Sequence, residues 1–143
     1  MKNKEIKRKI RILQNVAYYV LDSYGVFPFI DIEVIEPLSE DEYAYARKDD
    51  DDLFCIEISR SYFETASLPE LISTTCHEAV HIKQFMLDGL DFEVGKWTWK
   101  GERIKDNEKT YWFYPWEVEA RGMQDAFAQT FIEENNIEHE TAA

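Results

Sequence analysis

Of all the stretches in this chain, His77-Glu78-Ala79-Val80-His81 most constrains the fold. Only three histidines are present, and two of them stand four residues apart with an acid between them. Four residues is just over one helical turn, so on a helix both imidazoles leave from one face. The flanking residues supply that helix. Ser67 has the form of an N-cap, Pro69 falls in the first turn, and Glu70 is the reciprocal capping residue. Leu68, Leu71, Ile72, Thr75, Ala79, Ile82, Phe85 and Met86 then recur at helical spacing as far as Asp88-Gly89. Two imidazoles on one helical face suit a single zinc ion, with Glu78 beside the first ligand and within reach of a water on the metal.

The surrounding pattern predicts a single α+β domain over residues 1–143. Residues 4–24 form an amphipathic helix through Ile6, Ile10, Leu13, Ala17, Val20, Leu21 and Tyr24, stopped by Gly25 and Pro28. Its apolar stripe is expected to pack on the domain's own sheet. Phe29–Ile35 alternates apolar and acidic residues as a strand does. Tyr43–Arg47 and Leu53–Ser59 read as a hairpin across Asp49-Asp50-Asp51-Asp52, a self-repelling run expected in a solvated turn. Residues 92–114 carry Phe92, Trp97, Trp99, Tyr111, Trp112, Phe113 and Tyr114, and Asp106-Asn107 reads as the tip of a second hairpin. Beyond Pro115 a last helix carries Glu117, Glu119, Ala126, Phe127, Thr130 and Phe131, and the tail from about Asn135 is polar.

Charge narrows the partners. The net charge is −13, and six of the 16 cations lie in the first eleven residues beside one acid, Glu5. Residues 12–143 therefore carry 10 Lys and Arg against 28 Asp and Glu, a balance of −18. Such a body repels phosphate backbones, so no nucleic-acid partner is expected, whereas basic peptides or proteins would be attracted. The longest apolar run, Val16–Leu21, is too short to span a bilayer, and the basic N-terminus is not followed by a signal-like apolar segment. No membrane association and a cytoplasmic location are expected. Cys55 and Cys76, the only cysteines, fit two buried thiols in a reducing compartment.

Two histidines do not complete a catalytic zinc site, which usually has three protein ligands and one open position. His139 lies in the tail, so the expected third ligand is a carboxylate. Glu117 and Glu119 lie about 200° apart around a helix axis, and only one of them can face the metal.

Together, His77-Glu-Ala-Val-His81 and Pro115-Trp-Glu117-Val-Glu119-Ala120 resemble the gluzincin branch of the zincin metallopeptidases, and among these the small metallopeptidase-like proteins of phage and bacterial genomes. The resemblance is specific at about a dozen residues and loose elsewhere. It implies a minimal zincin-like domain: an N-terminal helix, a small mostly antiparallel sheet, an active-site helix, an aromatic hairpin and a glutamate helix. It implies Zn2+ held by His77, His81 and Glu117, with Glu119 the competing ligand. Glu78 would be the general base, taking a proton from the attacking water and returning it to the leaving amine. A peptide or protein substrate would lie along an edge strand, for which Leu53–Ser59 is the expected choice. Tyr111 or Tyr114 would be candidates for stabilising the oxyanion.

The chain departs from the family pattern at Arg121, where many members carry an acid that supports a metal histidine. Either another acid, with Asp125 the candidate, orients the histidine or the site lacks that support. Two other readings remain open at this level: a zinc-binding module without hydrolytic activity, and a small acidic protein that covers a basic surface of a partner.

Overall fold

The structure, a computed structural model, describes residues 2–36, 43–93, 96–104 and 114–137. Among these, the order of elements is α1 (Asn3–Ser23), β1 (Phe29–Ile35), β2 (Ala44–Asp50), β3 (Leu53–Ser59), α2 (Arg60–Thr65), α3 (Leu68–Leu87), β4 (Asp91–Glu93), β5 (Lys96–Trp99), β6 (Glu102–Ile104) and α4 (Pro115–Asn135). The class is α+β, with four helices and two three-stranded sheets among the described residues. No helix among them is long and apolar enough to cross a membrane.

Helix α1 buries Leu13, Val16, Ala17, Val20 and Leu21, one stripe at helical spacing. That stripe packs mainly on α3 and secondarily on β1, so the sheet is only its second partner. The helix ends as its sequence requires. Gly25 adopts φ +75°, its N–H bonds the Asp22 carbonyl, and the Val26 N–H reaches back to Leu21. These are the two bonds that a left-handed residue just past a helix allows, and glycine adopts it without strain.

The first sheet has the order β1-β3-β2, with β3 parallel to β1 and antiparallel to β2. Leu53–Ser59 is therefore the central strand, and the expectation that a substrate pairs with it is overturned. Its backbone groups already bond to a strand on each side. Among the described residues the edges are β1 and β2. Ile30, Ile32, Phe54, Ile56 and Ile58 join the main core under the helices. On the opposite face Glu57 is buried, accepts the Tyr45 hydroxyl at 2.8 Å and is paired with Arg47, which also binds Asp49. Asp51 and Asp52 make the exposed turn that the acidic run predicts.

Helix α2 has no counterpart in the sequence pattern, because six residues are too few for periodicity to emerge. Ser59 caps it, its hydroxyl accepting the Tyr62 N–H. Helix α3 begins with the expected capping box between Ser67 and Glu70. The second sheet is an antiparallel meander, β4-β5-β6. Its described hairpin tip is Lys100-Gly101, with φ of 50° and 84°, the paired positive values of a two-residue turn. The expected tip at Asp106-Asn107 lies outside the described residues. Trp97, Trp99 and Tyr114 close around Trp116, with ring centroids 5.3, 5.8 and 4.5 Å away. This aromatic cluster pins the first turn of α4 next to α3. Ala126 and Thr130 turn out to be exposed, and α4 is buried instead through Trp116, Glu117, Ala120, Ala128, Phe131 and Ile132.

Candidate metal centre

Within α3, Ala79, Val80 and Ile82 are fully buried in the core, which leaves His77 and His81 on the face turned toward α4. Their rings meet edge to face with centroids 4.8 Å apart, and the two Nε2 atoms stand 3.2 Å apart. Glu117 enters from the first turn of α4. Its Oε1 lies 2.8 Å from His81 Nε2, and its Oε2 lies 3.6 Å from His77 Nε2. Zinc at about 2.0–2.1 Å from each of its tetrahedral ligands would hold neighbouring ligand atoms about 3.3 Å apart. The three separations bracket that value, and the donors are the nitrogen and oxygen types that zinc takes. The site fits the ion. With side-chain exposures of 18%, 12% and 11%, the three groups are shielded yet still reached by solvent, as a centre open to water and substrate requires.

The three groups also set one another's charge. Burial pushes both histidines down, but the Glu117 carboxylate outweighs it, raising His77 and holding His81 at about 9. Burial pushes Glu117 up, and its contacts with the two imidazoles reverse this, leaving it far below the ordinary carboxylate range.

Glu78 is buried, and its carboxylate accepts the backbone N–H of Ala46 on β2. Burial raises its pKa, opposed by His81 and His77. A carboxylate so raised is a stronger base toward water. The register explains why the Ala46 N–H is available. Ser59 N–H bonds the Tyr43 carbonyl, so alternate residues Tyr45 and Arg47 pair with β3. The intervening Ala44 and Ala46 turn their backbone groups away from β3, to the side of β2 that no described strand covers.

Each imidazole is held from behind by a glutamine. Gln124 Oε1 lies 2.7 Å from His77 Nδ1, and Gln84 Oε1 lies 2.7 Å from His81 Nδ1. Asp125 does not take the expected place beside a ring; it accepts the Ser73 hydroxyl at 3.2 Å. Arg121 approaches Glu117, with Nη1 3.9 Å from Oε2. Glu119 binds Lys83 at 2.9 Å and Gln84 at 2.8 Å.

The glutamines behind the rings are residues that motif reading passes over. A helical-face count would have found them, since Gln84 is three residues past His81 and Gln124 is seven past Glu117. Cys76 is fully buried in the core, its thiol pushed up to about 12 by burial, and it lies outside the ligand group. Tyr114 is buried and stacked on Trp116. Tyr111 and His139 lie outside the described residues.

One other group of ligand-type atoms occurs among the described residues: Glu33, Cys55 and Glu57 on the outer face of the first sheet. There Glu57 is already engaged by Tyr45 and Arg47. In comparisons with known proteins, no family model, no curated protein and no solved structure matches this chain.

Proposed function

We propose that this chain is a zinc-dependent peptidase of the gluzincin kind, with His77, His81 and Glu117 as metal ligands and Glu78 as general base. The observation that carries the reading is the convergence of Glu117, from a separate helix, on the two Nε2 atoms of the motif. Zinc bound there would supply a Lewis acid for the scissile carbonyl and lower the pKa of water. Glu78 accepts a proton as the water oxygen bonds to the carbonyl carbon. It returns that proton to the amine nitrogen as the C–N bond breaks, and with the second proton of the water also passed to that nitrogen the products are a carboxylate and an ammonium.

The outer side of β2, an edge among the described residues, is the favoured place for substrate. Glu78 bonds Ala46 of that strand, so a peptide paired along it would run past the general base. Backbone pairing of this kind brings affinity with little demand on side chains. The acidic body of the domain would favour basic peptides.

The test joins metal analysis to hydrolysis of a mixed peptide library by wild type and Glu78→Gln. The reading expects about one zinc per chain in both proteins. Cleavage should fall by about 10²–10⁴ in the variant. Zinc without cleavage in the wild type would make the chain a metal-binding module. A wild type that binds no zinc would overturn the reading.

A further inference from the structure

Gln84 and Gln124 orient the two histidines through neutral amides, and the hydrogen-bonding chains behind them leave each amide one possible orientation. Gln84 is fully buried, and its Nε2 donates at once to the Trp116 carbonyl at 2.9 Å and to Glu119 Oε1 at 2.8 Å. Both partners are acceptors, so the nitrogen must face them and the oxygen must face His81. Glu119 is in turn held by Lys83 at 2.9 Å, and Lys83 by Asp88 at 2.7 Å. Gln124 repeats the arrangement. Its Nε2 approaches Ser73 Oγ at 3.4 Å, and that hydroxyl donates to Asp125 Oδ1 at 3.2 Å. With its own proton committed to Asp125, the Ser73 oxygen accepts, and the Gln124 oxygen is left for His77.

An amide oxygen accepts and cannot donate, so each ring must carry its proton on Nδ1. Both Nε2 atoms are thereby the nitrogens that face Glu117 and one another, where a cation would replace the protons they share with that carboxylate. We infer that Gln84 and Gln124 are positioning residues that fix both metal histidines as Nε2 ligands, anchored through Glu119 with Lys83 and through Ser73 with Asp125. The inference rests on the metal centre proposed above. A neutral amide also adds less basicity to a ligand imidazole than a carboxylate would, so the bound cation keeps more of its charge for carbonyl and water.

The experiment uses Zn2+ alone as probe, with the full chain. Zinc affinity is measured by chelator competition for wild type, Gln84→Leu, Gln124→Leu and Gln124→Glu. In parallel, the zinc-loaded wild type is labelled with 15N-histidine, and long-range 1H–15N spectra identify which ring nitrogen carries the proton. Two histidines protonated on Nδ1 and metallated on Nε2 are expected. Each Leu variant should weaken zinc about 10–100-fold. Gln124→Glu, which retains the acceptor and loses a donor that Ser73 can forgo, should bind at least as tightly as wild type.

Metal on Nδ1 of either ring, or wild-type affinity in both Leu variants, would overturn the positioning role while leaving the zinc centre standing. Absence of zinc from the wild type would overturn both. Should the Leu variants fail to fold, the wild-type spectra and Gln124→Glu decide the matter.

Discussion

Glu117 and Glu119 are separated by one residue on α4, yet their carboxylates end in different networks. Glu117 meets the Nε2 atoms of His81 and His77 at 2.8 and 3.6 Å, whereas Glu119 meets Lys83 and Gln84 at 2.9 and 2.8 Å. The helix turns about 200° between them, so one carboxylate faces the candidate metal and the other the side-chain chain behind it.

Metal content should separate the two. His77→Ala, His81→Ala and Glu117→Ala are each expected to lose stoichiometric zinc. Glu119→Ala is expected to keep it, with weaker affinity because Gln84 loses one of its two acceptors. Elemental analysis of the purified variants after dialysis checks this. Zinc loss in Glu119→Ala together with retention in Glu117→Ala would reverse the assignment.

Lys83 predicts a pH window. Burial opposes its charge, but Asp88 and Glu119 outweigh burial and lift it above its ordinary 10.5. Stability from that shift is present below 10.5 and is lost as pH rises through the folded value. Burial raises Glu119, but Gln84 and Lys83 outweigh it and hold the acid below its ordinary 4.5. That contribution is present above 4.5 and is lost as pH falls through the folded value. Besides the two acids, Lys83 faces the ring of Tyr24, 4.8 Å away. Lys83→Met should therefore cost about 1–3 kcal/mol, reduced from a fully buried pair by the partial exposure of Glu119. Denaturant melts should show the gap from wild type widest between the two ordinary values, 4.5 and 10.5, and narrowing outside them.

Thiol chemistry tests the core. Cys55 and Cys76 are free and fully buried, and burial pushes both thiols up to about 12. A chromogenic disulfide reagent at mild alkaline pH should leave the native protein unmodified. In denaturant it should titrate both thiols. Rapid reaction of the native protein would contradict the packing of β3 and α3.

The start of α3 offers a fourth test. Ser67 accepts the Glu70 N–H at 3.2 Å, and Glu70 returns toward the Ser67 backbone at 3.4 Å. Ser67→Ala should lower stability by about 1 kcal/mol, seen as a lower denaturation midpoint at unchanged slope. Zinc affinity should not change, because the cap lies more than two turns from His77.

How far the sequence could be read depends on the range of the forces involved. The helices α1 and α3, their caps, the strands β1, β2 and β3, and the hairpin between the last two follow from local periodicity and turn chemistry, which act over a few residues. His77 and His81 belong to that class, since one helical turn fixes their common face. Strand order is different. Leu53–Ser59 adjoins the motif helix in sequence and reads as an edge, but pairing with the distant β1 on its other side makes it central. Buried residues from Phe54 through Ser59, including Cys55 and Glu57, are the physical mark of that position.

The supporting residues escaped for the same reason. Asp125 is near enough to Glu117 in sequence to suggest a role beside a histidine, yet the packing of α4 on α3 brings Gln124 there instead. A motif names residues whose spacing along the chain does the chemical work. So the sequence by itself determined two imidazoles on one face, the acid between them and the helix that carries them, because those depend on backbone geometry within one turn. Only the tertiary structure decided which glutamate meets them, which amides stand behind them, and which strand lies at the centre of the sheet, because each depends on how separate elements settle against a shared core.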